Sequence, residues 1–139
     1  MDEAKLHEIR QWLIKADHDL RSAERLLSGT PPLLDTAVYH CQQAAEKALK
    51  AYLTFKDSPF QKIHVLSILI EQCLEFDHSF ESIRDVADIL TPYATAFRYP
   101  GDVLEPEPAD AEEACRLANH LFHFILEKMP DEVKGGDEK

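Results

Sequence analysis

Residues 37–51 read Ala-Val-Tyr-His-Cys-Gln-Gln-Ala-Ala-Glu-Lys-Ala-Leu-Lys-Ala, and this stretch decides the fold. Its apolar positions recur every three or four residues, which is the period of an amphipathic helix. Five of its fifteen residues are alanine, and small side chains let neighbouring helices approach closely. We therefore expect a helix from about Leu34 to Lys56 at the centre of a helical bundle.

The same spacing predicts four further helices, and no segment alternates as a strand would. The predicted helices span about Lys5 to Ser28, Val65 to Phe76, Phe80 to Phe97, and Ala109 to Met129. Together they predict an all-α fold, an antiparallel up-and-down bundle of four long helices and one short helix. Pro92 indicates a kink in the fourth predicted helix, or a restart with Thr91 as the cap. Residues 1–129 should form a single domain and residues 130–139 a disordered charged tail.

The composition narrows the classes of function. The chain has 139 residues and a net charge of −11, which argues against a broad nucleic-acid surface but allows a local basic pocket. No apolar run is long enough to span a membrane and the start is not a signal peptide, so we expect a cytoplasmic protein. Three cysteines, Cys41, Cys73 and Cys115, lie on apolar helical faces and should be reduced and buried.

The helical pattern stops at Phe97-Arg98-Tyr99-Pro100-Gly101-Asp102. An arginine beside such a break can grip a phosphate through its forked donors, and Tyr99 can stack on a base. Arg98, Tyr99 and Asp102 are therefore candidate ligand-binding residues. The alternative is that Arg98 pairs with an acid on the last long helix and that the Pro-Gly pair is only a turn.

A second group of candidates lies on the central helix. His40, Lys47 and Lys50 share one helical face, and Arg98 folded against that face would complete a small basic pocket. The alternative is a stripe that only faces solvent. His64, just before the short helix, is a further pocket candidate or a simple loop residue.

Other kinds of site find little support. His120 and His123 could share a helical face, but no third strong ligand follows at a suitable spacing, so we expect no metal site. The sequence has no nucleophile elbow, C-x-x-C pair, P-loop or dinucleotide fingerprint. We expect no cofactor.

The central stretch at 37–51, followed by the Phe97–Asp102 corner, resembles the HEPN family (higher eukaryotes and prokaryotes nucleotide-binding domain), in its RYP-type prokaryotic branch. The resemblance covers about residues 8–128. It implies a helical bundle of four to five helices that usually forms a homodimer. It also implies partnership with a minimal nucleotidyltransferase, in a two-gene module of the toxin–antitoxin kind, and association with a nucleotide or RNA.

The resemblance also bears on catalysis. Ribonuclease members of the family have an Arg followed, after four to six residues, by a His. Arg98 matches that Arg, but the positions expected for His hold Val103, Leu104 and Glu105. We therefore expect a non-catalytic module that binds a nucleotide or a partner protein. One alternative is a metal-independent ribonuclease toxin that uses Arg98 with His40 or His64, and another is a structural scaffold without a ligand.

Overall fold

The structure is a computed structural model that describes residues 1–101 and 104–135. The described chain contains helices, turns and loops but no strand, which confirms the predicted all-α class. No helix within it is both long and apolar enough to cross a membrane. The α-helices are α1 (Glu3–Ser28), α2 (Leu34–Phe55), α3 (Leu66–Leu74), α4 (Arg84–Leu90), α5 (Pro108–Lys128) and α6 (Asp131–Gly135).

Helix α2 lies at the centre, as its alanine content predicts. It packs against α1, α3, α4 and α5. Its alanines at positions 44, 45, 48 and 51 are fully buried, with 0% exposure. Because these side chains end at Cβ, neighbouring helices can approach the α2 backbone closely.

The contacts between side chains fix the helix directions. Lys5 at the start of α1 reaches Asp57 beyond the end of α2, with Nζ and Oδ2 2.9 Å apart, and Asp19 near the other end of α1 reaches His40. Helices α1 and α2 are therefore antiparallel. Helix α3 instead follows the direction of α2, because the linking segment 56–65 returns along α2 before α3 begins.

Two hydrogen bonds hold that returning segment. Gln42 Nε2 of α2 donates to the His64 carbonyl at 3.0 Å, and Gln72 Nε2 of α3 donates to the Pro59 carbonyl at 2.9 Å. The link between α2 and α3 is thus not the simple reversal of an up-and-down bundle.

The segment predicted as one helix from Phe80 to Phe97 is divided. A 3₁₀ helix covers His78–Ile83, α4 follows, and a second 3₁₀ helix covers Thr91–Ala94. Pro92 lies in the first turn of this second 3₁₀ helix, where its missing N–H costs least. The Thr91 hydroxyl does not cap that helix but donates to the Ala87 carbonyl at 2.8 Å and accepts from the Leu66 N–H at 3.1 Å. The bundle therefore has three long helices instead of four.

Part of the tail that we expected to be disordered is helical. Helix α6 packs on the bundle through Val133, which is 1% exposed. Arg10 of α1 also donates a hydrogen bond from Nη2 to the carbonyl of Glu132. One buried valine and one arginine contact explain why the prediction from composition was wrong here. Residues 136–139 lie outside the described residues.

Candidate functional site

The break after the second 3₁₀ helix places Arg98 beside the start of α2. Phe97 adopts a left-handed backbone conformation with φ of 66°, while its ring packs against the core and lies 6.3 Å from the Tyr93 ring. A bulky residue rarely holds this conformation, which costs about 1–3 kcal/mol and is concentrated at functional sites. The turn directs Arg98 towards α2.

Arg98 lies over the ring of Tyr39, with Cζ 3.6 Å from the ring centroid. This distance places the guanidinium in contact with the face of the ring, which is a cation–π interaction. The two residues line a cleft of about 380 Å³ together with Asp35, Thr36, His40 and Phe97. Within the described chain Arg98 forms no ion pair, so the alternative of a bridge from Arg98 to α5 is not observed.

His40 is held in the cleft by a buried acid. Asp19 of α1 is only 7% exposed, and its Oδ1 lies 2.7 Å from His40 Nδ1. The second carboxylate oxygen, Oδ2, accepts from Lys47 Nζ, also at 2.7 Å. Asp19 thus lies in the interface between α1 and α2, where it meets two basic groups of α2.

Lys50 is directed away from the cleft. Its Nζ donates to Glu46 Oε2 at 2.8 Å, and it lies 5.7 Å from the Trp12 ring centroid and 5.5 Å from that of Phe60. The predicted pocket of His40, Lys47, Lys50 and Arg98 is therefore only partly assembled. His40 and Arg98 line one cleft, Lys47 meets Asp19, and Lys50 belongs to a separate cluster.

That separate cluster is centred on Glu46, which is 5% exposed. Its Oε1 lies 2.9 Å from His64 Nδ1 and accepts from Gln42 Nε2 at 3.1 Å. Burial raises the pKa of the Glu46 carboxyl, but hydrogen bonds from Lys50, His64 and Gln42 outweigh it and hold the pKa below its usual value. The cluster places His64 with the returning segment 56–65, apart from the residues that line the Arg98 cleft.

The remaining candidates have different positions. Tyr99, the residue after Arg98, is 66% exposed and does not line the cleft, and Asp102 lies outside the described residues. Sequence reasoning missed Tyr39 and Asp19. In the sequence, only one feature pointed to Tyr39 as a cleft residue. It lies one helical turn after Asp35, at the start of α2.

No group of three or more histidine, cysteine, aspartate or glutamate side chains in the described part of the chain could hold a metal ion. His123 instead uses Nδ1 to contact the Asn119 carbonyl at 2.8 Å.

The three cysteines are free and buried. Interaction with the Cys115 thiol, together with burial, raises the pKa of the Cys41 thiol.

Comparison with known proteins finds a matching family and similar structures. A family model described as HEPN domain matches residues 9–129. The crystal structure of TT1696 from Thermus thermophilus is similar with a TM-score of 0.77 and 30% identity, over 87% of this chain and 98% of that chain. The crystal structure of ST0689, an archaeal HEPN homologue, is similar with a TM-score of 0.67 and 26% identity, over 86% of this chain and 96% of that chain.

No curated protein matches the chain. The family match nevertheless runs from the first half of α1 to the residue that follows α5, and so includes every helix that positions the Arg98 cleft. The predicted resemblance is confirmed, and this chain belongs to the HEPN domain family.

Proposed function

We propose that the chain is a binding module whose Arg98 cleft takes a nucleotide through its phosphate group. The observation that carries the proposal is the position of Arg98 over Tyr39, in one cleft with His40. A guanidinium that is supported on its face keeps its N–H edge for an anion. The cleft volume of about 380 Å³ lies in the range of small-molecule sites.

The distribution of charge favours a phosphate at Arg98 over one at the lysines of α2. Lys47 and Lys50 are compensated by Asp19 and Glu46, respectively. Asp35 lines the same cleft, but its Oδ1 accepts from the Thr36 backbone N–H at 2.7 Å. Tyr99 is exposed and follows Arg98 in the sequence, so its ring would be available to stack on the base of a nucleotide held at Arg98.

Thermal shift with ATP, GTP and AMP at millimolar concentration tests the proposal. A ligand at about 100 times its dissociation constant stabilises the folded protein by about 2.7 kcal/mol, which is easily seen as a rise in Tm. Arg98→Ala should abolish the shift. Arg116→Ala is the matched control, because Arg116 is an exposed arginine on α5 that pairs with Glu113 at 3.6 Å. The absence of a shift with all three nucleotides would favour the scaffold alternative.

A second candidate function is metal-independent cleavage of RNA, favoured by the contact between Asp19 and His40. A carboxylate on one ring nitrogen orients the imidazole and leaves Nε2 to exchange a proton with a 2′-hydroxyl. Arg98, in the same cleft, would stabilise negative charge on the phosphate. Incubation of a mixed RNA pool without metal tests this function. Cleavage that disappears in both His40→Ala and Arg98→Ala would rank it above simple binding.

The partner proposals rest on family membership. We propose that the module acts as a homodimer and with a minimal nucleotidyltransferase, in a toxin–antitoxin-like pair. Light scattering at tens of micromolar and co-purification with a nucleotidyltransferase from a neighbouring gene test these two proposals separately. A strict monomer would count against the first.

A further inference from the structure

A second cavity, of about 690 Å³, is formed by α1, α5 and α6 and shares no lining residue with the Arg98 cleft. Five of its lining side chains are apolar. They are Leu13 and Ile14 of α1, Phe122 and Leu126 of α5, and Val133 of α6. Ile14 is 38% exposed, although it is a large aliphatic residue. Leu13, Phe122 and Val133 are buried, so the apolar surface that the described residues leave open is formed by Ile14 and the half-buried Leu126.

The polar lining of this cavity is basic, in a chain whose net charge is −11. It includes Arg10, Arg21 and Lys134 together with two histidines, His7 and His18, and only one acid, Asp17. Such a local excess of positive charge attracts anions even in an acidic protein.

The positive charge is least compensated at the end formed by α6. Arg21 pairs with Asp17 at 3.0 Å, so the opposite end is largely neutral. Arg10 forms no ion pair within the described residues, and its Nη2 donates to the uncharged carbonyl of Glu132. Lys134 lies 3.9 Å from the fully exposed Asp131, a weak pairing. Arg10 and Lys134 thus form a positive end beside the apolar surface.

These features restrict the occupant. A second copy of the chain on the same face would bring like charges together. A nucleic-acid backbone would leave the apolar side chains without a partner. The cavity volume falls within the range for small ligands between the helices of a bundle, and about 16 Å of helix separates Arg10 from Arg21.

We propose that this cavity binds a single-chain amphiphilic anion, with its carboxylate or phosphate at Arg10 and Lys134 and its apolar chain along Ile14 and Leu126. The charged group meets the end of the cavity where the cations are least compensated, since Arg10 forms no ion pair within the described residues and Lys134 is only weakly paired with Asp131. The apolar chain of the ligand covers the open aliphatic surface of α1 and α5.

Isothermal titration with dodecyl phosphate, below its micellar concentration, tests the proposal. Inorganic phosphate and 1-dodecanol supply the charge and the chain separately, and each should bind at least about tenfold more weakly. Equal affinity for 1-dodecanol would reveal an unselective apolar surface, and equal affinity for phosphate would reveal a simple anion site. Either result overturns the proposal.

Two variants locate the site. Arg10→Met keeps the apolar stem but removes the charge, and Ile14→Glu places an acid where the chain should lie. Each should weaken dodecyl phosphate binding about tenfold or more. Lys15→Met is the matched control, because Lys15 is exposed on α1 and does not line the cavity. Circular dichroism checks folding, and if Ile14→Glu unfolds, Arg10→Met decides. Unchanged affinity in a folded Arg10→Met protein refutes the proposal.

Further experiments distinguish a free ligand from a membrane or a protein, and distinguish this cavity from the Arg98 cleft. Sedimentation with phosphatidylglycerol vesicles should leave the protein in the supernatant, and co-sedimentation without binding of free dodecyl phosphate would indicate a membrane surface instead. Binding of an acidic amphipathic peptide in place of dodecyl phosphate would make the cavity a protein-docking surface. Arg98→Ala should leave dodecyl phosphate binding unchanged, so the nucleotide proposal can fail without affecting this one.

Discussion

The guanidinium of Arg98 lies 3.6 Å above the ring of Tyr39, which joins the corner after the second 3₁₀ helix to the start of α2. The contact links two segments about sixty residues apart in the sequence. The ring contacts the guanidinium, whose N–H donors lie along the edge of its plane. The functional proposals for the cleft depend on this contact.

Tyr39→Leu should weaken nucleotide binding without abolishing it. A cation–π contact of this kind is worth about 1 kcal/mol, so the dissociation constant should rise about fivefold. Tyr39→Phe keeps the ring face and is the matched control. Titration calorimetry on both variants measures the difference. Equal affinities of the Leu and Phe variants would show that the ring does not position Arg98.

Asp19→Asn should destabilise the fold, because Lys47 and His40 both contact this buried carboxylate. Loss of a buried charged acceptor costs about 1–3 kcal/mol in the free energy of unfolding. Asp17→Asn is the control, since the ion pair of Asp17 with Arg21 is half-exposed and such pairs contribute about 0–1 kcal/mol. Urea denaturation measures both variants. Equal losses would show that Asp19 behaves as a surface acid.

Glu46 should make the fold sensitive to acid. Hydrogen bonds overcome burial to hold its pKa below the ordinary value of 4.5, so the folded state favours the ionised carboxylate. Its contribution to stability is therefore present above pH 4.5 and is lost as the pH falls through the lowered pKa.

The matched comparison is Glu46→Gln. The difference in unfolding free energy between the native protein and this variant should shrink as the pH falls below 4.5. Urea denaturation from pH 7 to pH 3 measures it. A difference that grows in acid would contradict the assigned direction of the pKa shift.

Ala48→Leu should destabilise the bundle, because Ala48 is fully buried on the central helix. Extra methylene groups in a packed interface cost about 1–3 kcal/mol. Ala4→Leu, at an exposed position in the first turn of α1, should change the unfolding free energy by less than about 0.5 kcal/mol. A neutral Ala48→Leu would show that α2 does not require small side chains there.

The long helices could be predicted from the sequence because each has one continuous apolar stripe. The predicted α2 ended within one residue of the observed end at Phe55. The prediction of the fourth helix was wrong, although this segment also has a continuous apolar stripe. Its apolar spacing continues from Phe80 to Phe97, but periodicity cannot distinguish α-helix from short 3₁₀ segments when Pro92 and tertiary contacts decide.

The candidate site could be predicted only in part. Arg98 and His40 were found because each stands out locally in the sequence, and they line one cleft. The contact of Asp19 with His40 depends on the register between α1 and α2, which sequence spacing within one helix does not contain. Lys50 shares a helical face with His40, yet the aromatic rings of Trp12 and Phe60 and the carboxylate of Glu46 hold it elsewhere.

Because carboxylates pair with Lys47 and Lys50, binding at the Arg98 cleft should depend only weakly on ionic strength. A single-stranded nucleic acid that binds at the Arg98 cleft would release the counterions of about one phosphate, since the α2 lysines already have carboxylate partners. The logarithm of its affinity should then fall with the logarithm of salt concentration with a slope of only about −0.7 for a single strand. Association at this cleft would persist at salt concentrations that release proteins held by a broad basic surface.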